Sequence, residues 1–280
     1  MTATRTEKKR KSDTAAAPQQ GDPTLNLELL RSMLLQRRFE ERTAEAYALG
    51  KIGGFCHLYI GQEAVSTGTI SMLRPDDYII TTYRDHGPAL ARGMTPRAVM
   101  AELFGRQDGC SRGKGGSMHL FDTNTNFLGG HGIVGGHVPL AAGVGFAIKY
   151  RGGDQVIVCF MGESVVNTGA FHEALNMAGL WKLPCVFIIE NNRYGMGTAL
   201  ERASAIHDIY ERGAAYNMPR NQCDGQDVFA VPRRWARPWS AHERNRSRRC
   251  SRSARTASWA TRCPTRSAAP TARSRSSRST

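Results

Sequence analysis

The fold is decided by residues 156–198, which read VIVCFMGESVVNTGAFHEALNMAGLWKLPCVFIIENNRYGMGT. The runs 156–160 and 185–189 are short, apolar and rich in β-branched residues, which is typical of strands buried on both faces of a parallel sheet. Between them, Asn167 or Thr168 can cap a helix. That helix has apolar residues at helical spacing, namely Phe171, Leu175, Ala178 and Leu180. The stretch therefore predicts an α/β unit of strand, loop, helix and strand.

Two loops follow the carboxyl ends of these strands, where open α/β sheets bind ligands. In the first loop, Gly162 and Ser164 are small enough for a phosphate group to approach the backbone, and Glu163 offers a carboxylate. In the second loop, Asn192 offers an amide oxygen. Mg²⁺ prefers about six oxygen ligands, a few from protein and the rest from phosphate and water. These residues alone allow either a Mg²⁺-diphosphate site or an ordinary glycine-containing turn followed by a polar loop.

The two loops together resemble a thiamine-diphosphate motif that begins with Gly-Asp-Gly and ends with Asn-Asn, with the separation between Glu163 and Asn192 kept. The segments 176–185 and 190–198 are similar to the alpha subunits of pyruvate dehydrogenase, a family of thiamine-diphosphate-dependent 2-oxo acid dehydrogenases. The resemblance covers about residues 24–231. It implies the thiamine-diphosphate-binding fold, an α/β fold with a mostly parallel sheet and helices on both faces.

The resemblance also implies a function and a set of partners. Members of the family oxidatively decarboxylate pyruvate with thiamine diphosphate and Mg²⁺, and pass the acetyl group to a lipoyl group on the acetyltransferase component of a multienzyme complex. They work as alpha2beta2 heterotetramers with a beta subunit, in the bacterial cytoplasm or the mitochondrial matrix, and without nucleic acid or membrane. The alternatives are an alpha subunit that acts on acetoin or branched-chain 2-oxo acids, and an inactive truncated product.

The resemblance assigns roles to individual residues. His57, in a segment that brings a histidine to the reactive face of the cofactor, is the implied catalytic residue. The implied cofactor-binding residues are Tyr83 and Arg84 at the diphosphate, Gly132 and Val134 at the aminopyrimidine ring, and Glu163, Ser164, Val165 and Asn192. The implied metal ligands are Glu163, Asn192 and the backbone carbonyl of Tyr194. A planar guanidinium such as that of Arg84 suits bidentate phosphate binding.

The motif departs from the family at two positions, because Glu163 stands where the family has Asp and Ser164 where it has Gly. The extra methylene of Glu163 moves its carboxylate, and Mg²⁺ demands near-ideal octahedral geometry. Ser164 adds a Cβ at a position where a close backbone approach or a positive φ is expected. Both changes predict weakened cofactor binding.

Two further glycine-rich runs lie upstream. The run 113–119, GKGGSMH, lacks the Gly-x-x-x-x-Gly-Lys-Ser/Thr spacing of a nucleotide-binding loop. It is typical of the family, in which it lies near the cofactor channel, and its His119 is either catalytic or structural. The run 129–140 leads into a predicted helix of small residues at 141–148.

A long helix is predicted from Asp22-Pro23, a capping acid followed by proline at the first helical position, to Gly50. Its apolar residues at roughly helical spacing are Leu27, Leu30, Met33 or Leu34, Tyr47 and Leu49. Its charged residues Arg37, Arg38, Glu40, Glu41 and Arg42 are predicted to face solvent or a partner.

The net charge of +14 is concentrated at one end of the chain. Residues 232–280 hold 14 Arg, no Lys and one acid, Glu243, and so account for +13 of that charge. The nearly neutral remainder argues against a nucleic-acid-binding body. No apolar run approaches the ~20 residues that span a membrane. The seven cysteines form no Cys-x-x-Cys pair, and Cys159 and Cys185 are predicted core residues.

Three regions are predicted: a disordered tail at 1–22, the cofactor-binding domain at 23–231, and an Arg/Ser-rich tail at 232–280. The last region has no apolar periodicity and is predicted to be disordered. One synonymous coding of residues 255–266, read out of frame, gives YRLVGHSMSDP, which is the lid loop of the family. We therefore interpret this tail as a frameshift near Val231. The competing interpretation is an arginine-rich arm that binds nucleic acid.

Overall fold

The computed structural model describes residues 22–232 together with the backbone of residues 257–262. Its helices are α1 (Pro23–Ala48), α2 (Glu63–Ile70), α3 (His86–Ala91), α4 (Pro96–Leu103), α5 (His137–Tyr150), α6 (Gly169–Trp181) and α7 (Leu200–Ala203). Its strands are β1 (Tyr78–Thr82), β2 (Phe127–His131), β3 (Ile157–Gly162), β4 (Cys185–Asn191), β5 (Tyr194–Gly195), β6 (Thr198–Ala199), β7 (Arg220–Asp224) and β8 (Ala257–Arg262). In the described part of the chain, 3-10 helices at Gly116–Met118, Glu163–Asn167 and Ile209–Tyr216 connect these elements.

Six of the strands form one parallel sheet in the order β2-β1-β3-β4-β8-β7. The register between β3 and β4 aligns Ile157 with Cys185 and Gly162 with Glu190. The two strands predicted from the deciding stretch are therefore neighbours near the middle of the sheet. β5 and β6 form a separate antiparallel pair. The predicted α/β fold with a mostly parallel sheet is confirmed.

Helices cover both faces of this sheet, because successive residues of a strand point to opposite sides. Ile157, Cys159 and Met161 pack with residues of α5 and α6 in one buried cluster. Val158 and Phe160 pack with residues of α1, α3 and α4 in another. The predicted burial of the strand on both faces is confirmed, and so is the core position of its cysteine.

α1 begins as predicted, but a different face of it is buried. The Asp22 carboxylate accepts a hydrogen bond from the Thr24 N–H at 3.0 Å, and Gly50 follows the helix with a φ of +69°. The predicted apolar positions are largely exposed: Leu27, Leu30, Leu34, Tyr47 and Leu49. The buried positions are Leu29, Gln36, Phe39, Glu40, Thr43 and Ala46. The prediction that Glu40 faces solvent or a partner is therefore wrong, since its side chain is paired with His86 in the interior.

The helix of the deciding stretch, α6, is capped by Thr168, whose hydroxyl accepts from the Phe171 N–H at 3.4 Å. Phe171, Leu175 and Ala178 are buried as predicted. Leu180 is 71% exposed, so the predicted apolar stripe is one residue too long.

The structure differs from the predicted disorder of residues 232–280 in one place. Residues 257–262 form β8, which lies between β4 and β7 and pairs with both in parallel. The edges of β4 and β7 carry backbone N–H and C=O groups that need partners, and β8 supplies them. The rest of both predicted tails lies outside the described residues, apart from Asp22 and Pro232. Within the described part of the chain, no helix is both long and apolar enough to cross a membrane.

Candidate functional site

The carboxyl ends of four neighbouring parallel strands meet at one edge of the sheet. In spatial order these strands are β2, β1, β3 and β4. The residues that immediately follow them are Gly132 after β2, Tyr83 and Arg84 after β1, Glu163 after β3 and Asn192 after β4. The fold therefore brings these residues, predicted from separate parts of the sequence, to a single edge where ligands bind in α/β sheets.

Glu163 is a buried carboxylate that is only partly satisfied. Its side chain is 4% exposed. Burial raises the pKa of Glu163, and the backbone N–H groups of Glu163 itself and of Asn192, together with the charge of Arg84, oppose that rise. Its Oε1 atom has no hydrogen-bond partner among the described residues. A buried carboxylate oxygen without a donor suits a cation.

The second loop is shaped by its own side chains. Asn192 Oδ1 accepts from the Tyr194 N–H at 3.0 Å, and Asn191 Oδ1 accepts from the Arg193 N–H at 2.9 Å. Arg193 has a φ of +69°. These turns bring the loop back toward the end of β3, where the Asn192 N–H meets Glu163.

Ser164 fits its surroundings better than the sequence suggested. Its φ is not positive, so the expected backbone strain is absent at this residue. A Cβ added to Gly195 would lie 2.2 Å from Ser164 Oγ, so the space beside the serine exists because residue 195 is glycine. Val165 is 2% exposed and packs in the core, which leaves only its backbone to face a ligand.

His57, Tyr83 and Arg84 come together on the β1 side of this edge. The ring centroids of His57 and Tyr83 are 4.3 Å apart. Burial, and then the neighbouring Arg84 charge, lower the pKa of His57, so its ring is neutral near pH 7. Arg84 donates a hydrogen bond from its guanidinium to the Leu58 carbonyl. This bond fixes the guanidinium beside the segment that contains His57.

The turn after β2 packs against the loop after β3. Gly135 has a φ of +83°, and a Cβ there would lie 2.8 Å from Thr168 Oγ1. Val134 is 47% exposed. A Cβ on Gly132 would lie 3.4 Å from Cε1 of His119, so that histidine lies beside the predicted aminopyrimidine contact. The two alternative roles of His119, catalytic and structural, stay predictions.

A buried acid–histidine cluster behind the site was missed by the sequence analysis. His86 Nδ1 lies 3.0 and 3.1 Å from the two Glu40 carboxylate oxygens, and His86 Nε2 lies 2.8 Å from Ser117 Oγ. Burial alone would lower the pKa of His86, but Glu40 and, more weakly, Asp85 outweigh it and raise the pKa to about 9. The cluster links α1, α3 and the glycine-rich run 113–119. The only signal in the sequence was the Asp-His pair that directly follows Tyr83-Arg84.

A second unpredicted pair lies next to Glu163. The Tyr59 hydroxyl donates to the Glu190 carboxylate, and neither residue is more than 5% exposed. Burial raises the pKa of Glu190 to about 7, the Tyr59 hydroxyl and Arg84 oppose the rise, and Glu163 adds to it. The Tyr59 N–H also donates to Glu40 at 2.9 Å. The segment that includes His57 is therefore fastened at both its backbone and its side chains.

This geometry defines a class of protein: an α/β protein that gathers a carboxylate, amide oxygens and an arginine at the carboxyl edge of a parallel sheet. A family model for the dehydrogenase E1 component matches residues 31–246, past the point where the resemblance was expected to end. The chain belongs to the dehydrogenase E1 component family. The family resemblance predicted from the two loops is thereby confirmed.

The chain is similar to several proteins called pyruvate dehydrogenase E1 component subunit alpha. It is 55% identical over 206 residues to that of Rhizobium meliloti (strain 1021), covering 74% of this chain and 59% of the relative. It is 54% identical over 206 residues to that of Zymomonas mobilis, covering 73% and 58%. It is 48% identical over 212 residues to that of Porphyra purpurea, covering 73% and 62%. The chain thus spans about three-fifths of the length of the relatives it matches.

Proposed function

We propose that this chain acts as the alpha subunit of a thiamine-diphosphate-dependent E1 component, which oxidatively decarboxylates pyruvate and passes the acetyl group to a lipoyl group. The observation that supports the proposal most is Glu163, a buried carboxylate at the carboxyl edge with one oxygen that has no partner among the described residues. The names of the relatives supply the reaction and the substrate.

The residues at this edge fit thiamine diphosphate and Mg²⁺. Among the residues that the structure describes, none donates to Glu163 Oε1 and none would lie within 4 Å of a Cβ added to Gly162, so the backbone there is open to a ligand. We assign Mg²⁺ to Glu163, Asn192 and the Tyr194 carbonyl, with the remaining ligands from diphosphate and water. When bound, thiamine diphosphate supplies the carbon nucleophile for the 2-oxo group of the substrate.

The residues of the chain bind and orient the reactants. Arg84 and Tyr83 hold the diphosphate, Arg84 through its planar guanidinium. Backbone groups of Gly132 and Val134 face the aminopyrimidine ring, and those of Ser164 and Val165 line the first loop. His57 is neutral near pH 7, so its ring can accept a proton at the reactive face of the site.

We propose as partners a beta subunit, in an alpha2beta2 assembly, and a lipoyl-bearing acetyltransferase component. The expected location, the bacterial cytoplasm or the mitochondrial matrix, stays a prediction of this assignment. An alpha subunit that acts on acetoin or on branched-chain 2-oxo acids is the second candidate. An inactive product is the third, and the Glu163-Ser164 pair in the motif favours it.

Co-expression with a pyruvate dehydrogenase beta subunit tests the proposal. We expect reduction of an artificial electron acceptor that depends on pyruvate, thiamine diphosphate and Mg²⁺, at a rate at least tenfold above that with acetoin or 2-oxoisovalerate. A preference for either of the other substrates would reassign the chain to that enzyme. If cofactor binds without turnover of any of the three, the inactive candidate is supported. A Glu163→Ala variant serves as the blank for the assay.

A further inference from the structure

Glu102, in the last turn of α4, is a buried acid that holds four backbone amides. Its side chain is 0% exposed. Its Oε2 atom accepts from the Ser111 and Gly113 N–H groups, both at 2.8 Å. Its Oε1 atom accepts from the Gly115 N–H at 2.7 Å and the Gly116 N–H at 3.1 Å. A carboxylate can accept at all four positions, whereas an amide side chain has a single acceptor oxygen.

The backbone around this carboxylate is packed so closely that glycine is required. A Cβ on Gly109 would lie 2.3 Å from Glu102 Oε2. Gly113 has a φ of +74°, and a Cβ there would lie 2.5 Å from the carbonyl carbon of Gly105. The conformation of residues 105–116 is therefore formed around the acid, and we expect it to relax when the acid is replaced.

The same loop is tied to His119. Ser111 Oγ donates to the His119 carbonyl at 3.0 Å, and a Cβ on Gly115 would lie 2.3 Å from that carbonyl oxygen. The His119 ring in turn lies 3.0 Å from the Gly130 carbonyl through Nδ1 and lies beside Gly132. A chain of direct contacts therefore links the buried acid to the edge of the site.

We propose that Glu102 is a positioning residue, which fixes the loop at 111–116 and thereby holds His119 against Gly132. The proposal rests on the proposed function only for the ligand that His119 faces, thiamine diphosphate. A purely structural Glu102 would instead stabilise the whole fold and show no specific coupling to His119.

Hydrogen exchange of the full chain tests the first half of the proposal without any cofactor. In Glu102→Gln we expect the peptide covering residues 111–119 to exchange at least tenfold faster than in the wild type, with the sheet strands unchanged. Glu28→Gln is the matched control, because Glu28 is an exposed glutamate on α1, and it should match the wild type throughout. Equal acceleration over the whole chain, or no acceleration at 111–119, would overturn the proposal.

A double-mutant cycle on the binding of thiamine diphosphate with Mg²⁺, measured on the chain co-expressed with a pyruvate dehydrogenase beta subunit, tests the second half. We expect Glu102→Gln and His119→Ala each to raise the dissociation constant about tenfold, and the double variant to match His119→Ala within twofold. Losses that multiply would show that Glu102 does not act through His119 and would overturn the proposal. If the wild type does not bind thiamine diphosphate, the proposed function is wrong, and the exchange result still decides the role of Glu102.

Discussion

Two buried glutamates, Glu40 and Glu163, lie close to the same edge of the sheet and differ in how their carboxylates are hydrogen-bonded. Glu40 is 0% exposed, and both of its oxygens have partners: His86 Nδ1 at 3.0 and 3.1 Å and the Tyr59 N–H at 2.9 Å. Glu163 is 4% exposed, and its Oε1 has no partner among the described residues. Both carboxylates are buried. Each oxygen of Glu40 has a hydrogen-bond partner, whereas Oε1 of Glu163 has none among the described residues.

This difference distinguishes Glu40, which supports the fold, from Glu163, which is available to a ligand. A buried charge costs several kcal/mol unless hydrogen bonds or an opposite charge offset the lost hydration. The fold provides that compensation to Glu40 within the chain. It leaves Glu163 incomplete, which is tolerable when the missing partner is a bound cation. Variants of the two acids should therefore fail in different assays.

The largest expected effect is on folding. Glu40→Gln should lower the free energy of unfolding by about 3–5 kcal/mol, because it breaks a buried ion pair and leaves one amide oxygen to accept from both His86 and the Tyr59 N–H. Glu163→Gln should change it by less than about 0.5 kcal/mol, since it removes a charge that is already poorly compensated. Urea unfolding followed by far-ultraviolet circular dichroism measures both. Equal losses for the two variants would remove the distinction between them.

The second-largest expected effect is on cofactor binding, for which Glu163 rather than Glu40 is the more sensitive residue. Glu163→Gln should weaken Mg²⁺-dependent binding of thiamine diphosphate on the order of 100-fold, because a neutral amide is a poor ligand for a hard cation. The measurement is a titration followed by tryptophan fluorescence, with the exposed Glu28→Gln as control. An affinity within twofold of the wild type would mean that the metal is held elsewhere.

The pH dependence of stability sharpens the scaffold side of the comparison. The pKa of His86 rises from 6.5 to about 9 on folding, so the stability it contributes is complete below pH 6.5 and is lost as the pH rises toward 9. We expect a loss on the order of 2 kcal/mol over that window. The pKa of Asp85, raised by burial to about 7, acts in a lower window. In His86→Gln the slope of stability between pH 7 and 9 should fall to less than half of the wild-type slope, and an unchanged slope would point to another group.

The smallest expected effect distinguishes Glu163 from Ser164, the two departures from the family motif, by their influence on cofactor binding. Glu163→Asp should tighten thiamine diphosphate binding about tenfold by restoring the shorter carboxylate that suits octahedral Mg²⁺. Ser164→Gly should change it less than about twofold, because Ser164 already fits against Gly195 without a positive φ. Isothermal titration of each single variant decides which residue matters. A larger gain from Ser164→Gly would show that its Cβ obstructs the ligand.

The sequence predicted the parts of the molecule that depend on local pattern. The apolar runs predicted β3 and β4, and Thr168 predicted the start of α6. Burial on both faces and helix capping each produce a sequence pattern that is visible within a few residues. The assignment of His57 and Tyr83 to one cofactor site came instead from family resemblance. The contact between their rings, with centroids 4.3 Å apart, was not predicted, because it depends on the sheet topology.

The scaffold residues escaped prediction for a physical reason. Glu40 lies among charged neighbours on α1, and its partner His86 is 46 positions away in the chain, so no local pattern marks it as buried. Leu180 continues the apolar spacing of α6 yet is exposed, because periodicity does not show where the core ends. The four amide bonds of Glu102 depend on a loop with no regular pattern of its own.

The order of strands in the sheet has a consequence for how the chain assembles during synthesis. β8 lies between β4 and β7, pairing Val186 with Ala257 and Arg220 with Ser258. A ribosome releases β7 before β8, so β7 has emerged while the strand that joins it to the sheet is still being made. Strands β2, β1, β3 and β4 can associate first, with the edge of β4 open to other chains in the interim. Among the described strands, the last to join the sheet is thus one late strand that inserts between two early ones, a long-range pairing that is slow by its topology.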